Sequence, residues 1–164
     1  MIMIGLLILL FALLSPFPSP TSTWAGASYE ETLKQLAEAI TERATKAKKH
    51  RLAFLDFTDS HGQPTAIGQF LAEELGTQIM VAGELTVVDR TLTYSTLKKL
   101  HVDHIDSDHA KAVRRVAKAI RADAFVSGVS IETPDGLQLT TKLINSSNGQ
   151  PIGARGLRCR KQAR

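Results

Sequence analysis

The hexamer LAFLDF, residues 52–57, constrains the fold most, because it is apolar on both faces except at Asp56. Successive side chains of a strand point to opposite faces of a sheet, so a strand with one face in water alternates apolar and polar residues. A strand that is apolar on both faces needs cover on both sides. The hexamer therefore predicts a central strand in a sheet that lies between two layers of helices.

Changes in periodicity predict the elements on either side of this strand. Apolar residues at helical spacing predict a helix over residues 28–49, and Ser28 with Glu31 forms a capping box at its start. After the strand, Thr65 is a suitable N-cap for a second helix. The inward face of that helix is expected to carry Ile67, Phe70, Leu71, Glu74, Leu75 and Ile79.

The second half of the chain adds two short helices and more strands. We expect a strand at residues 85–88, a helix in TLTYSTLKKL, and a further helix that buries Val113, Val116, Ala117 and Ile120. ADAFVSGVSIE and GLQLTTKLI are strands joined by the turn TPDG, and QPIGARGL adds an edge strand after NSSNG. The fold class is α/β, a single domain with a mixed β-sheet of about four to five strands flanked by helices.

The N-terminal residues have the features of a secretory signal peptide. The run from 1 to 14 is apolar but shorter than the ~20 residues of a spanning helix. Prolines then interrupt it, and Ala25 and Ala27 supply the small residues before a cleavage site, so residues 1–27 are assigned as the signal. The n-region has no Lys or Arg, which leaves open that the segment is retained as an anchor. No cysteine stands at the predicted cleavage site, so a lipid anchor is not expected.

The charge is unevenly distributed along the chain, whose formal net charge is +4. Residues 155–164 form a basic C-terminal tail with five basic residues and no acid, so the remaining 15 basic and 16 acidic residues give −1. A nucleic-acid partner is not expected, because such a partner requires a basic face with aromatics or a recognition helix. Membrane contact is expected only through the basic tail.

The loop DFTDSHGQPT after the hexamer is the first candidate site. It has one glycine, and neither GxGxxG nor GxxxxGK[ST] occurs in the chain, so nucleotide binding is not expected. Asp56, Asp59 and His61 have the chemistry of acid/base groups or ligands at the carboxyl end of a strand. The alternative is structural: Arg90 is a natural partner for Asp56, while Asp59 forms the turn.

The segment HVDHIDSDH contains donors that zinc accepts, at His101, Asp103, His104, Asp106, Asp108 and His109. Ser107 and Asp108 also fit a helix N-cap followed by an acid, and no distant ligand cluster completes a closed site. We assign no metal ligand, no cofactor and no catalytic residue. Cys159, the only cysteine, is expected to be an exposed thiol in the tail.

Four segments in this order resemble the FlgO-like domain family, which is related in fold to CsgG-type periplasmic domains. They are LAFLDFTDSHG, GQFLAEELGTQI, GELTVVDRTLTYSTLKKL, and IRADAFVSGVS with GLQLTTKLINSSNGQPIGA, and together they cover about residues 52–154. The resemblance implies an α/β domain over 28–154 and an envelope protein associated with flagellar or secretion assemblies. It also implies that relatives of the fold activate peptidoglycan synthases. Many such proteins carry a lipid-bearing cysteine where Ser28 stands here.

The sequence thus predicts a non-enzymatic exported protein, located in the periplasm, that binds another envelope protein or assembles with itself. Outer-membrane association is compatible with this prediction, but the sequence has no lipobox cysteine that could carry a lipid anchor. The alternative function is a periplasmic protein that binds a small ligand or a metal through the loops after the parallel strands. A peptidoglycan-synthase activator is a third hypothesis.

Overall fold

The computed structural model describes residues 29–105 and 107–160. Its helices are α1 (Tyr29–Lys46), α2 (Ala66–Ala82), α3 (Arg90–Lys99) and α4 (Ala110–Ile120), and a 3₁₀ turn covers Ser107–His109. Its strands are β1 (Arg51–Phe54), β2 (Thr86–Val87), β3 (Ala124–Thr133), β4 (Gly136–Asn145) and β5 (Pro151–Arg160). The predicted fold class, a single α/β domain with a mixed sheet, is confirmed.

The five strands form one sheet in the order β2-β1-β3-β4-β5. β1 is parallel to both β2 and β3, whereas β3, β4 and β5 form an antiparallel meander. Parallel neighbours need crossover connections, which α2 supplies between β1 and β2, while the antiparallel strands need only short turns. One half of the sheet is therefore linked through helices and the other half through hairpins.

The hexamer forms the central strand that its composition predicts. Leu52, Ala53 and Phe54 are fully buried. The regular strand ends at Phe54 rather than at residue 57, because its ladder with β3 ends there, two residues after the pairing with β2. The Leu55 N–H still donates to the Val126 carbonyl at 2.9 Å, but the Asp56 N–H donates to the hydroxyl of Tyr94 at 2.7 Å.

Two layers of helices cover the two faces of the sheet. α1 and α2 pack against one face, in a core that includes Leu52, Phe54 and Val126. α3 and α4 pack against the other face, with Ala53 and Phe125. Because neighbouring residues of β1 and β3 alternate between these two cores, both layers are seated on the same two strands.

Helix α2 is fixed at its start by a cap and by a close backbone approach. The Thr65 hydroxyl accepts a hydrogen bond from the Gly68 N–H at 3.0 Å, so the predicted cap is confirmed. A Cβ on Gly68 would lie 1.9 Å from the Phe57 carbonyl oxygen, so the loop and the helix meet where only glycine fits. Phe70 was expected to point inward but is 54% exposed, because it lies beside the buried row of Leu71, Leu75 and Ile79.

The start of α4 differs from the expectation. Ser107–His109 form a 3₁₀ turn, and the N-cap of α4 is His109, which makes no side-chain capping hydrogen bond. The N-cap of α4 thus lies two residues after Ser107, the position at which the sequence predicted it. The inward positions Val113, Val116, Ala117 and Ile120 are buried as predicted.

The predicted edge strand is longer than expected. β5 pairs with β4 as far as Arg160, so residues 155–160 of the predicted basic tail belong to the sheet. Cys159 lies opposite Leu137 and is only 6% exposed, so the prediction of an exposed thiol is wrong. Residues 161–164 lie outside the described residues, as do Asp106 and the predicted signal peptide with Ala25, Ala27 and Ser28. No helix within 29–105 and 107–160 has the length and apolar character that crossing a membrane requires.

Candidate functional site

The loop after β1 runs along β3 rather than standing free. The Thr58 N–H donates to the Gly128 carbonyl at 3.0 Å, and the Ser130 N–H donates to the Thr58 carbonyl at 2.8 Å. The Phe57 N–H donates to the Gly68 carbonyl at 3.3 Å. The loop is thus held between a strand and the start of α2, which fixes the positions of its polar side chains.

Asp59 forms the turn at the tip of this loop. Its carboxylate accepts hydrogen bonds from the N–H groups of His61 at 2.8 Å and Gln63 at 2.9 Å. These bonds, that of Gln63 first, lower the pKa of the Asp59 carboxyl below its usual value. Gly62 occupies the left-handed region at φ +78°, as the turn requires. Turn formation thus accounts for Asp59, and His61 is exposed beside it.

Asp56, Arg90 and Tyr94 form a cluster at the end of β1 and the start of α3. Arg90 donates to the Asp56 carboxylate, and the guanidinium carbon lies 5.4 Å from the centre of the Tyr94 ring. The Asp56 and Arg90 side chains are only 12% and 26% exposed. Burial, together with the neighbouring Asp56, raises the pKa of Tyr94 to about 12, so its hydroxyl is neutral at ordinary pH.

The cluster satisfies most of its own polar groups. The Tyr94 hydroxyl accepts from the Asp56 backbone, and Asp56 neutralises Arg90, while Nη1 of Arg90 is buried without a hydrogen-bond partner. Within the described part of the chain, no hydrogen bond or ion pair joins this cluster to Asp59 or His61. The structure therefore brings Asp56 and Arg90 together and assigns Asp59 to the turn.

The histidine-rich segment before α4 does not assemble a metal centre among the residues that the structure describes, which exclude Asp106. No group of three or more His, Cys, Asp or Glu side chains in that part of the chain is placed to hold an ion. His101 has φ +51° and, like His104, is exposed.

Sequence reasoning missed a groove between α1 and α2. Its volume is about 820 Å³. Ala37 and Thr41 of α1 and Ile79, Val81 and Ala82 of α2 contribute to its walls. Four carboxylates also line it, those of Glu38, Glu42, Glu74 and Glu84.

α2 exposes three large apolar side chains, of which Val81 lines this groove. Val81 is 82% exposed, Met80 is 56% exposed, and Phe70 stacks on Tyr29 with ring centres 6.3 Å apart. Three of the five large apolar side chains that the described residues expose are therefore on this one helix. The sequence feature that could have indicated this exposure is the run MVA at the end of α2. Its first two residues, Met80 and Val81, are not among the residues that α2 buries.

Comparison with known proteins finds no matching family model and no matching curated protein. Solved structures do match. The C-terminal domain of LpoB from Salmonella enterica superposes with a TM-score of 0.62 at 14% identity, covering 79% of this chain and 96% of that domain. Escherichia coli LpoB matches with a TM-score of 0.60 at 10% identity, covering 96% of this chain and 85% of that chain.

Lipoprotein GNA1162 from Neisseria meningitidis matches with a TM-score of 0.51 at 14% identity, covering 68% of this chain and 80% of that chain. At these identities the likeness establishes the fold alone. The expected membership in the FlgO-like family is wrong, because no family model matches and the similar structures are LpoB and GNA1162. The flagellar association that this resemblance implied loses its basis.

Proposed function

We propose that this chain is a non-enzymatic protein-interaction module of the cell envelope, and that the α1–α2 groove is its binding surface. The observation that carries the proposal is the concentration of exposed apolar side chains on α2 beside a groove of about 820 Å³. Contiguous exposed apolar surface with a polar rim is characteristic of binding sites for other proteins. The likeness in fold to LpoB and to a lipoprotein supports the envelope assignment.

The groove also indicates what the partner presents. Its floor is apolar at Ala37, Ile79 and Ala82, and its margin carries four carboxylates and the two cations Lys34 and Lys46. One of these cations, Lys46, is already paired with Glu42. An amphipathic helix with apolar side chains flanked by Lys or Arg matches this combination. We therefore expect a partner segment that is apolar on one face and basic beside it.

The polar cluster supports a binding function rather than a catalytic one. Asp56 and Arg90 neutralise each other, and the Tyr94 hydroxyl is neutral with its pKa raised to about 12. Asp59 is engaged by two backbone N–H groups. A catalytic acid or base needs a proton that it exchanges with a substrate near the working pH, and these groups have structural partners instead.

We further propose that residues 1–27 are a secretory signal cleaved after Ala27 and that the domain runs from residue 28 through β5, so that part of the basic end belongs to the sheet. The location is then the periplasm. Because the solved structures with a similar fold include LpoB, the third hypothesis, activation of a peptidoglycan synthase, supplies the first partner to test. Self-assembly of the chain is the second.

Charge introduced into the groove margin tests the proposal. Val81→Lys should abolish co-purification with the envelope partner, because a lysine would face the basic partner segment and leave a buried cation unpaired in the interface. The matched control is Ile131→Lys, since Ile131 is a 39% exposed apolar residue on β3 and does not line the groove. Both variants should keep the denaturation midpoint of the unmodified protein. Equal partner recovery with both variants would rule out the groove as the binding surface.

The alternative, a periplasmic protein that binds a small ligand or a metal, keeps one observation in its favour, because the groove volume falls within the range of ligand pockets. Its metal form is tested by thermal melts with and without EDTA. We expect the two melts to coincide, since the fold is held by two apolar cores. A lowering of many degrees by the chelator would favour the alternative.

A further inference from the structure

The solvent side of α4 and the residue that follows it carry only positive charge. Lys111, Arg114, Arg115, Lys118 and Arg121 are exposed, and we call these five residues the α4 basic face. No acidic residue occurs between Ala110 and Ala122. A helix of 11 residues is about 16 Å long, so the five cations form a short, dense row.

These cations have no protein partner within residues 29–105 and 107–160. The ion pairs found there are Lys46–Glu42 and Arg90–Asp56, neither of which involves α4. Unpaired cations of this density on one surface attract an anionic partner, and their mutual repulsion falls when that partner binds.

The opposite side of α4 is fully used by the fold. Val113, Val116 and Ile120 are buried in the core with Phe125 and Ile144. The α4 basic face therefore offers no aromatic or large apolar side chain to a partner. Specific protein interfaces depend on such side chains at their centre, and a surface made only of Lys and Arg lacks that centre.

We propose that the α4 basic face binds peripherally to an anionic phospholipid bilayer. A bilayer attracts cations in proportion to their number without requiring a complementary shape, and each Lys or Arg near its surface strengthens binding about fivefold. α4 would lie flat on the headgroups without inserting, since its apolar side remains in the core. This contact is additional to the one expected of the basic tail and does not depend on the proposed function.

The orientation that follows leaves the groove accessible. α4 covers one face of the sheet, whereas α1 and α2 cover the other. A protein bound to the bilayer through α4 presents the α1–α2 groove away from the membrane. One surface would thus determine position, while the other remains free for a protein partner.

Vesicle sedimentation tests the proposal on the protein purified from expressing cells. The probes are phosphatidylcholine vesicles with and without about one third phosphatidylglycerol, at low and high salt. We expect binding only to the anionic vesicles and release by salt, because screening weakens exposed charges. The triple variant Arg114→Gln, Arg115→Gln, Lys118→Gln should bind about a hundredfold more weakly, since three cations are lost.

The matched control removes the same charge elsewhere, with Arg43→Gln, Lys48→Gln and Lys49→Gln, which lie on or just after α1 and do not line the groove. It should bind anionic vesicles within about threefold of the unmodified protein, because these residues lie on the other layer. Equal weakening of both triple variants, binding to neutral vesicles, or no binding at low salt would each overturn the proposal. The proposal would also be overturned if the α4 basic face bound a DNA duplex or an acidic protein in a salt-sensitive way but did not bind vesicles.

Discussion

The α1–α2 layer and the α3–α4 layer cover opposite faces of the same sheet but leave different chemistry exposed. α2 carries Glu73 and Glu74, no base, and the exposed apolar residues Phe70, Met80 and Val81. α4 carries four bases, no acid, and no exposed large apolar residue. α2 therefore has the surface of a protein-binding site, whereas the exposed side of α4 has only positive charge.

This difference shows how a nearly neutral domain acquires two distinct surfaces. Both layers contribute to the core in a similar way, because each buries one side of its helices against the sheet. The outward side chains do not contribute to the core. The net charge that they carry is negative in the α1–α2 layer and positive in the α3–α4 layer. Net charge hides the difference, since the acids near one face balance the bases of the other.

The largest expected effect concerns the seating of α2. Gly68→Ala should lower the free energy of unfolding by about 3 kcal/mol, because the new Cβ overlaps the Phe57 carbonyl oxygen. Gly76→Ala is the control, since its Cβ would lie 3.6 Å from the nearest atom, on Val87. We expect the control to be neutral or more stable by up to about 1 kcal/mol, because alanine favours helix. Urea denaturation measures both changes, and equal midpoints would contradict the close approach.

The next effect compares the ion pairs, one in each layer. Asp56→Ala or Arg90→Ala should cost about 2 kcal/mol, because each leaves a largely buried charge without its partner. Glu42→Ala should leave stability nearly unchanged, because Lys46 and Glu42 are 75% and 63% exposed. If Asp56→Ala and Arg90→Ala kept full stability but lost partner binding, the loop after β1 would be the binding site instead.

A smaller effect distinguishes the two tyrosines. Tyr94→Phe should cost about 1 kcal/mol, because the Asp56 N–H loses its acceptor. Tyr29→Phe should leave stability nearly unchanged, because the buried Tyr29 hydroxyl has no hydrogen-bond partner. Chemical denaturation at neutral pH measures both changes. A larger loss of unfolding free energy for Tyr29→Phe than for Tyr94→Phe would contradict the assignment of the stabilising hydrogen bond to Tyr94.

A further effect, which is absent at neutral pH, is a decline of stability at alkaline pH. The pKa of both Tyr29 and Tyr94 is raised to about 12 in the folded chain, chiefly by burial, against a usual value near 10. The folded state therefore keeps these protons after the unfolded state has lost them. Stability should be complete below pH 10 and fall between pH 10 and 12. Either Tyr→Phe variant should show a shallower decline, and an unchanged decline in both would contradict the raised pKa values.

Local patterns predicted the framework of this fold well. The hexamer placed β1 at the centre of the sheet, and Thr65 marked the start of α2, because alternation and capping act over a few residues. The sequence also predicted the pairing of Asp56 with Arg90. Each residue follows one of two parallel strands, and the carboxyl ends of parallel strands lie at the same edge of the sheet.

The surfaces were harder to predict because they depend on tertiary packing. The exposure of Phe70 follows from where α2 lies against α1, and the groove exists only because the two helices separate there. The burial of Cys159 follows from the register of β5 on β4, which the sequence of one strand does not specify. The α4 basic face is present in the sequence, but dividing the charge only into a basic tail and a remainder of −1 concealed it.

Site-specific photocrosslinking in cells tests most directly whether the two layers have different partners. A photoreactive residue is placed at Val81, beside the groove, or at Lys118, on the α4 basic face, and both side chains are exposed. The proposed division of roles predicts a discrete protein adduct from position 81, with no protein adduct and only lipid adducts from position 118. A discrete protein adduct from position 118 together with none from position 81 would contradict it.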